Sequence, residues 1–286
     1  MPVTSQRSHE QELAGLDALD VPLEQAVSRR ARVWLATWPK LAAAGLLVGV
    51  WQLVVWLELR PSYALPGPVP VFARLLTDLD VLLGAAAITL RRAALGYALA
   101  TVIGIALGLA VARGRLLRSA VGSLITGLQT MPSIVWFPLA ILLFRLSEQA
   151  ILFVVVLGAA PAIANGLIHG VDHIPPLLLR AGRVLGARGL ATYRHIVLPA
   201  ALPAFVAGMK QGWAFAWRSL MAGELLVIIA QRPSLGVRLQ FARELSDAEG
   251  LLAAMIVVLA IGIVLDALVF GRLERLIRTR WGLTGP

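Results

Sequence analysis

Long apolar stretches separated by short basic ones set the pattern of this sequence. Residues 41–57, 93–112, 119–144, 149–171 and 251–265 contain no Asp, Glu, Lys or Arg. A sixth stretch, about 201–230, is interrupted by Lys210, Arg218 and Glu224. A membrane-spanning helix needs roughly 20 predominantly apolar residues, so the pattern predicts an all-α polytopic membrane protein with six transmembrane helices. Gly45/Gly49, Gly104/Gly108, Gly166/Gly170 and Gly208/Gly212 have the GxxxG spacing that lets helix backbones approach closely in lipid.

Composition narrows the class. Of 286 residues, 58% are hydrophobic and 15% charged, against about 25% charged in an ordinary soluble domain. The 26 Lys+Arg outnumber the 16 Asp+Glu, but they sit between the apolar runs, which fits membrane anchoring and argues against a nucleic-acid partner. With the N-terminus cytoplasmic, residues 1–40, 113–118, 172–200 and 272–286 hold 16 Lys/Arg and the external connections 58–80, 145–148 and 232–249 hold 6. The positive-inside rule therefore puts both termini in the cytoplasm. The expected organisation is a cytoplasmic extension over 1–40, a transmembrane domain over 41–271 with a cytoplasmic loop at 172–200, and a basic tail over 272–286. The first 33 residues are polar and acidic before they turn basic, which is not the pattern of a secretory signal.

Several chemistries lack their residues. There are no cysteines, which removes thiolate metal sites and Cys catalysis. The only lysines, Lys40 and Lys210, do not follow a glycine, so no GxxxxGK[ST] phosphate loop is present. If ATP drives this protein, another polypeptide binds the ATP and Mg. His169 and His173 have the i, i+4 spacing of zinc ligands, but Pro175-Pro176 follows and the HExxH glutamate is missing; they read as interfacial residues, with no metal site. No Ser, His and Asp set has a nucleophile-elbow context, so no catalytic residue is expected.

The connection between the fourth and fifth apolar stretches is the most specific. Pro175-Pro176 opens a short amphipathic helix containing Arg180, Ala181, Gly182 and Leu185, Gly186 ends it, and a second short helix runs to Ile196, Leu198 and Pro199. Two short Arg-bearing helices on the cytoplasmic side suit either a soluble docking partner or anionic lipid.

The spacing of Gly186, nine residues, then Ile196-Val197-Leu198-Pro199 resembles the EAA loop of ABC importer permeases. The resemblance continues in Arg60-Pro61-Ser62, Leu65-Pro66-Gly67-Pro68, Met131-Pro132, Phe137-Pro138-Leu139-Ala140, Leu198-Pro199-Ala200-Ala201-Leu202-Pro203 and Ala222-Gly223-Glu224-Leu225. It covers roughly residues 41–282 and is similar to the branch serving sulfonate, taurine, nitrate, bicarbonate and some vitamin-precursor importers. It implies a type I ABC importer permease fold, in a bacterial inner membrane. The implied partners are two cytoplasmic ATPase subunits, an extracytoplasmic solute-binding protein and a second copy of this chain. In that family the loop seats in a cleft of the ATPase, which assigns coupling to Arg180, Ala181, Gly182, Leu185, Gly186, Ile196, Leu198 and Pro199. Two departures stand out: Arg180 replaces the usual Glu and Gly182 an Ala, and Arg145 follows Phe144 where relatives often carry Gly.

Ionisable groups at bilayer depth cost at least about 2.5–3.5 kcal/mol and normally face a packed interior or a wet path. At 100° per residue Lys210, Trp217, Met221 and Glu224 fall within about 40° of one line, a candidate path wall. Lys210 and Glu224 lie about 21 Å apart along the axis, too far to pair. Snorkelling for Lys210, and for Glu224 an interhelical salt bridge with Arg91, Arg92 or Arg218, are the packing alternatives. Gln129 and Asn165 are neutral polar candidates for the same path. A proton-coupled secondary transporter working through Glu224 or Asp266 is the first rival reading, ahead of an intramembrane enzyme and a membrane scaffold.

Overall fold

The computed structural model describes residues 29–112, 115–229 and 231–280, and the chain divides into two units after Arg60. The first unit contributes α1 (Arg29–Trp56), whose Thr37–Trp56 portion is apolar and 20 residues long. At 1.5 Å per residue that portion is about 30 Å, the thickness of a hydrocarbon core. Most of the expected 1–40 extension and the end of the tail lie outside the described residues.

The second unit is built around α6 (Glu148–Asp172). Ser147 precedes it, Glu148 places an acid in its first turn where the helix dipole favours one, and apolar and small residues make up most of the rest. A helix apolar all round is buried all round, and α6 is sandwiched between α3 (Leu79–Ala112) and α8 (Leu190–Leu226). Small residues let these three meet at the backbone. A Cβ on Gly166 would stand 2.5 Å from the Cα of Gly208, and one on Gly104 2.8 Å from the carbonyl oxygen of Ala160. Three of the four GxxxG pairs thus mark α3–α6 and α6–α8 contacts, while Gly45/Gly49 belongs to the first unit.

The periphery differs from the expected pattern in four places. The stretch 119–144, expected as one span, is split into α4 (Arg115–Thr130), a 3₁₀ turn (Ser133–Trp136) and α5 (Phe137–Phe144), with a bend of 99°. Pro132 is the cause: it has no N–H to continue the helix and disfavours helical geometry at Met131. Among the described residues five helices are long and apolar enough to span a membrane, six if the bent pair crosses as one. Second, α3 begins 14 residues before Ala93, so Arg91 and Arg92 lie inside a helix. Third, the short helix expected before Pro199 is the first part of α8, joined through a π-helical segment, Tyr193–Val197. Fourth, the external connections 58–80 and 232–249 contain helices of their own, α2 (Pro68–Thr77) and α9 (Leu235–Glu244). The last span, α10 (Ala248–Leu265), passes through a second π-helical segment, Asp266–Phe270, into α11 (Gly271–Arg280).

Candidate translocation path and coupling loop

The second unit carries candidate features at both ends. At one end, α7 (Pro176–Val184) starts with Pro175-Pro176 and stops at Gly186, whose φ is +87°. The Gly186 N–H donates to the Arg183 carbonyl at 3.1 Å and the Ala187 N–H to the Gly182 carbonyl at 2.9 Å. This is the Schellman arrangement, which favours glycine at the left-handed position. Gly182 is buried beneath Ile196, whose Cδ1 occupies the space of a missing Cβ. Ala181, Arg180 and Leu198 are exposed, Pro199 is half-buried, and Leu185 is 86% exposed beside Val184 and Leu190. Three large apolar side chains bare to solvent around a rigid turn form a surface that a partner could cover.

At the other end lies a buried ion cluster. Glu224 on α8 is fully buried; it accepts hydrogen bonds from Arg92 Nη1 at 3.0 Å, Thr89 Oγ1 at 2.9 Å and the Gly236 N–H at 3.1 Å. Thr89 Oγ1 in turn accepts from the Leu235 N–H at 3.0 Å. Glu148 extends the cluster to Arg92 at 3.3 Å and Arg232 at 2.6 Å. Of the packing alternatives, Arg92 is the partner found.

The stripe Lys210, Trp217, Met221 and Glu224 does share one side of α8, and that side is turned toward other helices of the same chain. Lys210 Nζ lies 3.5 Å from both Asp266 and Glu274. Trp217 stacks on Trp213 and lies against Gly262 of α10, while Met221 packs on the central core. Asn165 is half-buried on α6, and Gln129 sits at the break after α4. His173 Nδ1 pairs with the backbone carbonyl of its predecessor His169, and the two rings stack.

The sequence reading missed the open side of α8. Ala207, Gln211, Ala214 and Arg218 are exposed at i, i+4, i+7 and i+11, a single helical stripe. On α4, Ser123, Thr126, Gly127 and Thr130 are likewise exposed at i, i+3, i+4 and i+7. The hydroxyl spacing was visible in the sequence; which side of α8 stayed uncovered depended on packing partners.

Residues 100–279 match the family of binding-protein-dependent transport system inner membrane components. The chain belongs to that family. The permease is 30% identical over 233 residues to an ABC transporter permease protein of Methanocaldococcus jannaschii, covering 79% of this chain and 86% of the relative. It is 28% identical to the taurine transport system permease protein TauC of Escherichia coli (85% and 91% covered). It is 30% identical to the nitrate import permease protein NrtB of Leptolyngbya laminosa (81% and 84% covered). Among solved structures, an inward-facing MetNI methionine ABC transporter superposes with a TM-score of 0.59 at 20% identity, over 70% of this chain and 98% of that one. The permease therefore has the type I ABC importer permease fold and is a multi-pass inner membrane protein. Its family works with ATPase and binding-protein partners.

Proposed function

We propose that this permease is half of a two-copy channel for a small anion, most simply an aliphatic sulfonate or taurine, with both termini cytoplasmic. The observation that carries the reading is the open stripe on α8. Gln211 and Arg218 lie within an apolar span yet are exposed, and polar groups at that depth face a wet path or a partner helix rather than lipid. A second copy laid against this stripe, with the hydroxyl face of α4, encloses a polar passage. Gln129 stands at its narrowing, and Lys210, Trp217, Met221, Glu224 and Asn165 brace it from behind.

On this reading a solute-binding protein delivers substrate from outside. Two ATPase subunits, which hold the ATP and Mg, close on the exposed Val184, Leu185 and Leu190 around α7. The segment from Arg180 through Pro199 passes that closure to α8, and this chain performs no catalysis. The excess of Lys/Arg in the connections at the α7 end supports the orientation. The similarity to a taurine permease supports a sulfonate, and the similarity to a nitrate permease supports nitrate as the second reading.

The test is reconstitution of the permease with its ATPase and binding protein in lipid vesicles. Taurine-loaded binding protein is expected to stimulate ATP hydrolysis and uptake. Stimulation by nitrate alone would move the assignment to the second reading, and proton-driven flux without any ATPase would overturn both.

A further inference from the structure

At the 99° break the second unit holds a cavity of about 290 Å³, lined among others by Gln129, Thr130, Ser133, Gly158, Phe215 and Arg218. A water occupies about 30 Å³ of liquid, so the space suits a small organic ion. Its lining contains one cation and no carboxylate.

Two other basic groups of the spans are neutralised: Arg92 by Glu224 and Glu148, Lys210 by Asp266 and Glu274. Arg218 donates only its Nε, to the carbonyl of Ala214 on its own helix, and its guanidinium lies 4.9 Å from the centre of the Phe215 ring. Among the described residues no carboxylate pairs with it. An arginine stays charged in a protein, and this one keeps its outer N–H groups for something else.

Two further polar groups beside the cavity lack partners. Gln129 Nε2 and Ser219 Oγ are buried without a hydrogen bond, and Ser219 Oγ would stand 2.6 Å from a Cβ on the cavity residue Gly158. An unmet buried donor is destabilising, a cost that a ligand oxygen removes. The arginine fork and the amide are donors without acceptors on the guanidinium side, and a fork of N–H groups matches the paired oxygens of an oxyanion.

We propose that this cavity is an oxyanion subsite of the path, with Arg218 and Gln129 holding the charged head of a monovalent sulfonate or inorganic oxyanion in transit. The proposal rests on the anion-importer reading above and adds the place and the donors.

Because the chain has no cysteine, Ser133→Cys introduces the permease's single thiol at the cavity. In the full complex with its ATPase in lipid, that thiol is treated with 2-sulfonatoethyl methanethiosulfonate and with its trimethylammonium counterpart, and labelling is read by mass. The anionic reagent is expected to gain about tenfold over the cationic one, relative to a free thiol, through local field focusing. Taurine should slow it, Arg218→Gln should abolish the preference, and Arg218→Lys should restore part of it. Gln129→Leu should weaken taurine protection about fivefold, which keeps the test open if Arg218→Gln does not assemble. A preference unchanged by Arg218→Gln, or protection unchanged by Gln129→Leu, overturns the subsite. Taurine and nitrate uptake by the wild-type complex in the same membranes separates the two levels. Uptake with a charge-blind thiol overturns the subsite alone, and a charge-selective thiol without uptake of either ion overturns the importer reading.

Discussion

Removing the carboxylate of Glu224 probes how the bundle holds α3, α8 and α9 together. The side chain is fully buried and accepts three hydrogen bonds, one from an arginine that is itself only 4% exposed. Breaking a buried ion pair by deleting one partner costs about 3–5 kcal/mol, because the remaining charge is stranded. Here Arg92 retains Glu148 at 3.3 Å, so the expected cost of Glu224→Ala lies at the lower end, about 3 kcal/mol. This is well above the roughly 0.6 kcal/mol of an average interhelical hydrogen bond in a membrane protein. Arg92→Leu strands Glu224 in the same way. The double variant leaves no orphan charge, since Glu148 keeps Arg232 at 2.6 Å, and it should be more stable than the two single losses sum to by at least about 1 kcal/mol. Denaturant unfolding of the solubilised permease, followed by its tryptophan fluorescence, gives all three values. Additive losses, or a Glu224→Ala cost below about 0.5 kcal/mol, would refute the assignment of this cluster as a structural clamp.

Two further outcomes follow from the backbone. Arg145 has φ +59° and ψ −161°, a region that suits glycine and costs other residues about 1–3 kcal/mol; Arg145→Gly, after about 0.4–1 kcal/mol lost to the freer unfolded chain, should raise stability by about 1 kcal/mol in the same unfolding assay. Gly186→Asp forces a side chain into a left-handed position at the exposed turn, about 1–2 kcal/mol of local strain, and should leave ATP hydrolysis running while uptake falls; parallel assays in vesicles with unchanged uptake would remove the basis for placing coupling there.

Much of the framework was legible because it depends on local pattern. Uncharged runs of bilayer length gave the spans, and glycine spacing gave the close contacts of α6 with α3 and α8. Pro175-Pro176 and Gly186 bounded α7 correctly, since prolines and left-handed glycines act within a turn of themselves. What was not legible depended on distant partners. The sequence contained Met131-Pro132, but a single proline does not say whether a span kinks or breaks by 99°. Lys210, Trp217, Met221 and Glu224 share a side of α8 as their spacing requires, yet spacing cannot say which side meets α10 and which stays open. Arg218 was one of three interruptions in an apolar run, and only the pairing of the other two left it as the unneutralised one.

The backbone contacts among α3, α6 and α8 also set how force travels. Helices separated by a layer of long side chains can slide by exchanging rotamers, whereas at Gly104, Gly166 and Gly208 there is no such layer to deform. The three helices therefore form a close-packed plate, and on the proposed coupling a push on α7 would reach the far end of α8 with little lost in between. Compliance is left to the joint at Met131-Pro132, where α4 and α5 meet at an angle rather than along a seam. In the proposed importer, that joint is where a stroke at one face of the membrane would become an opening at the other.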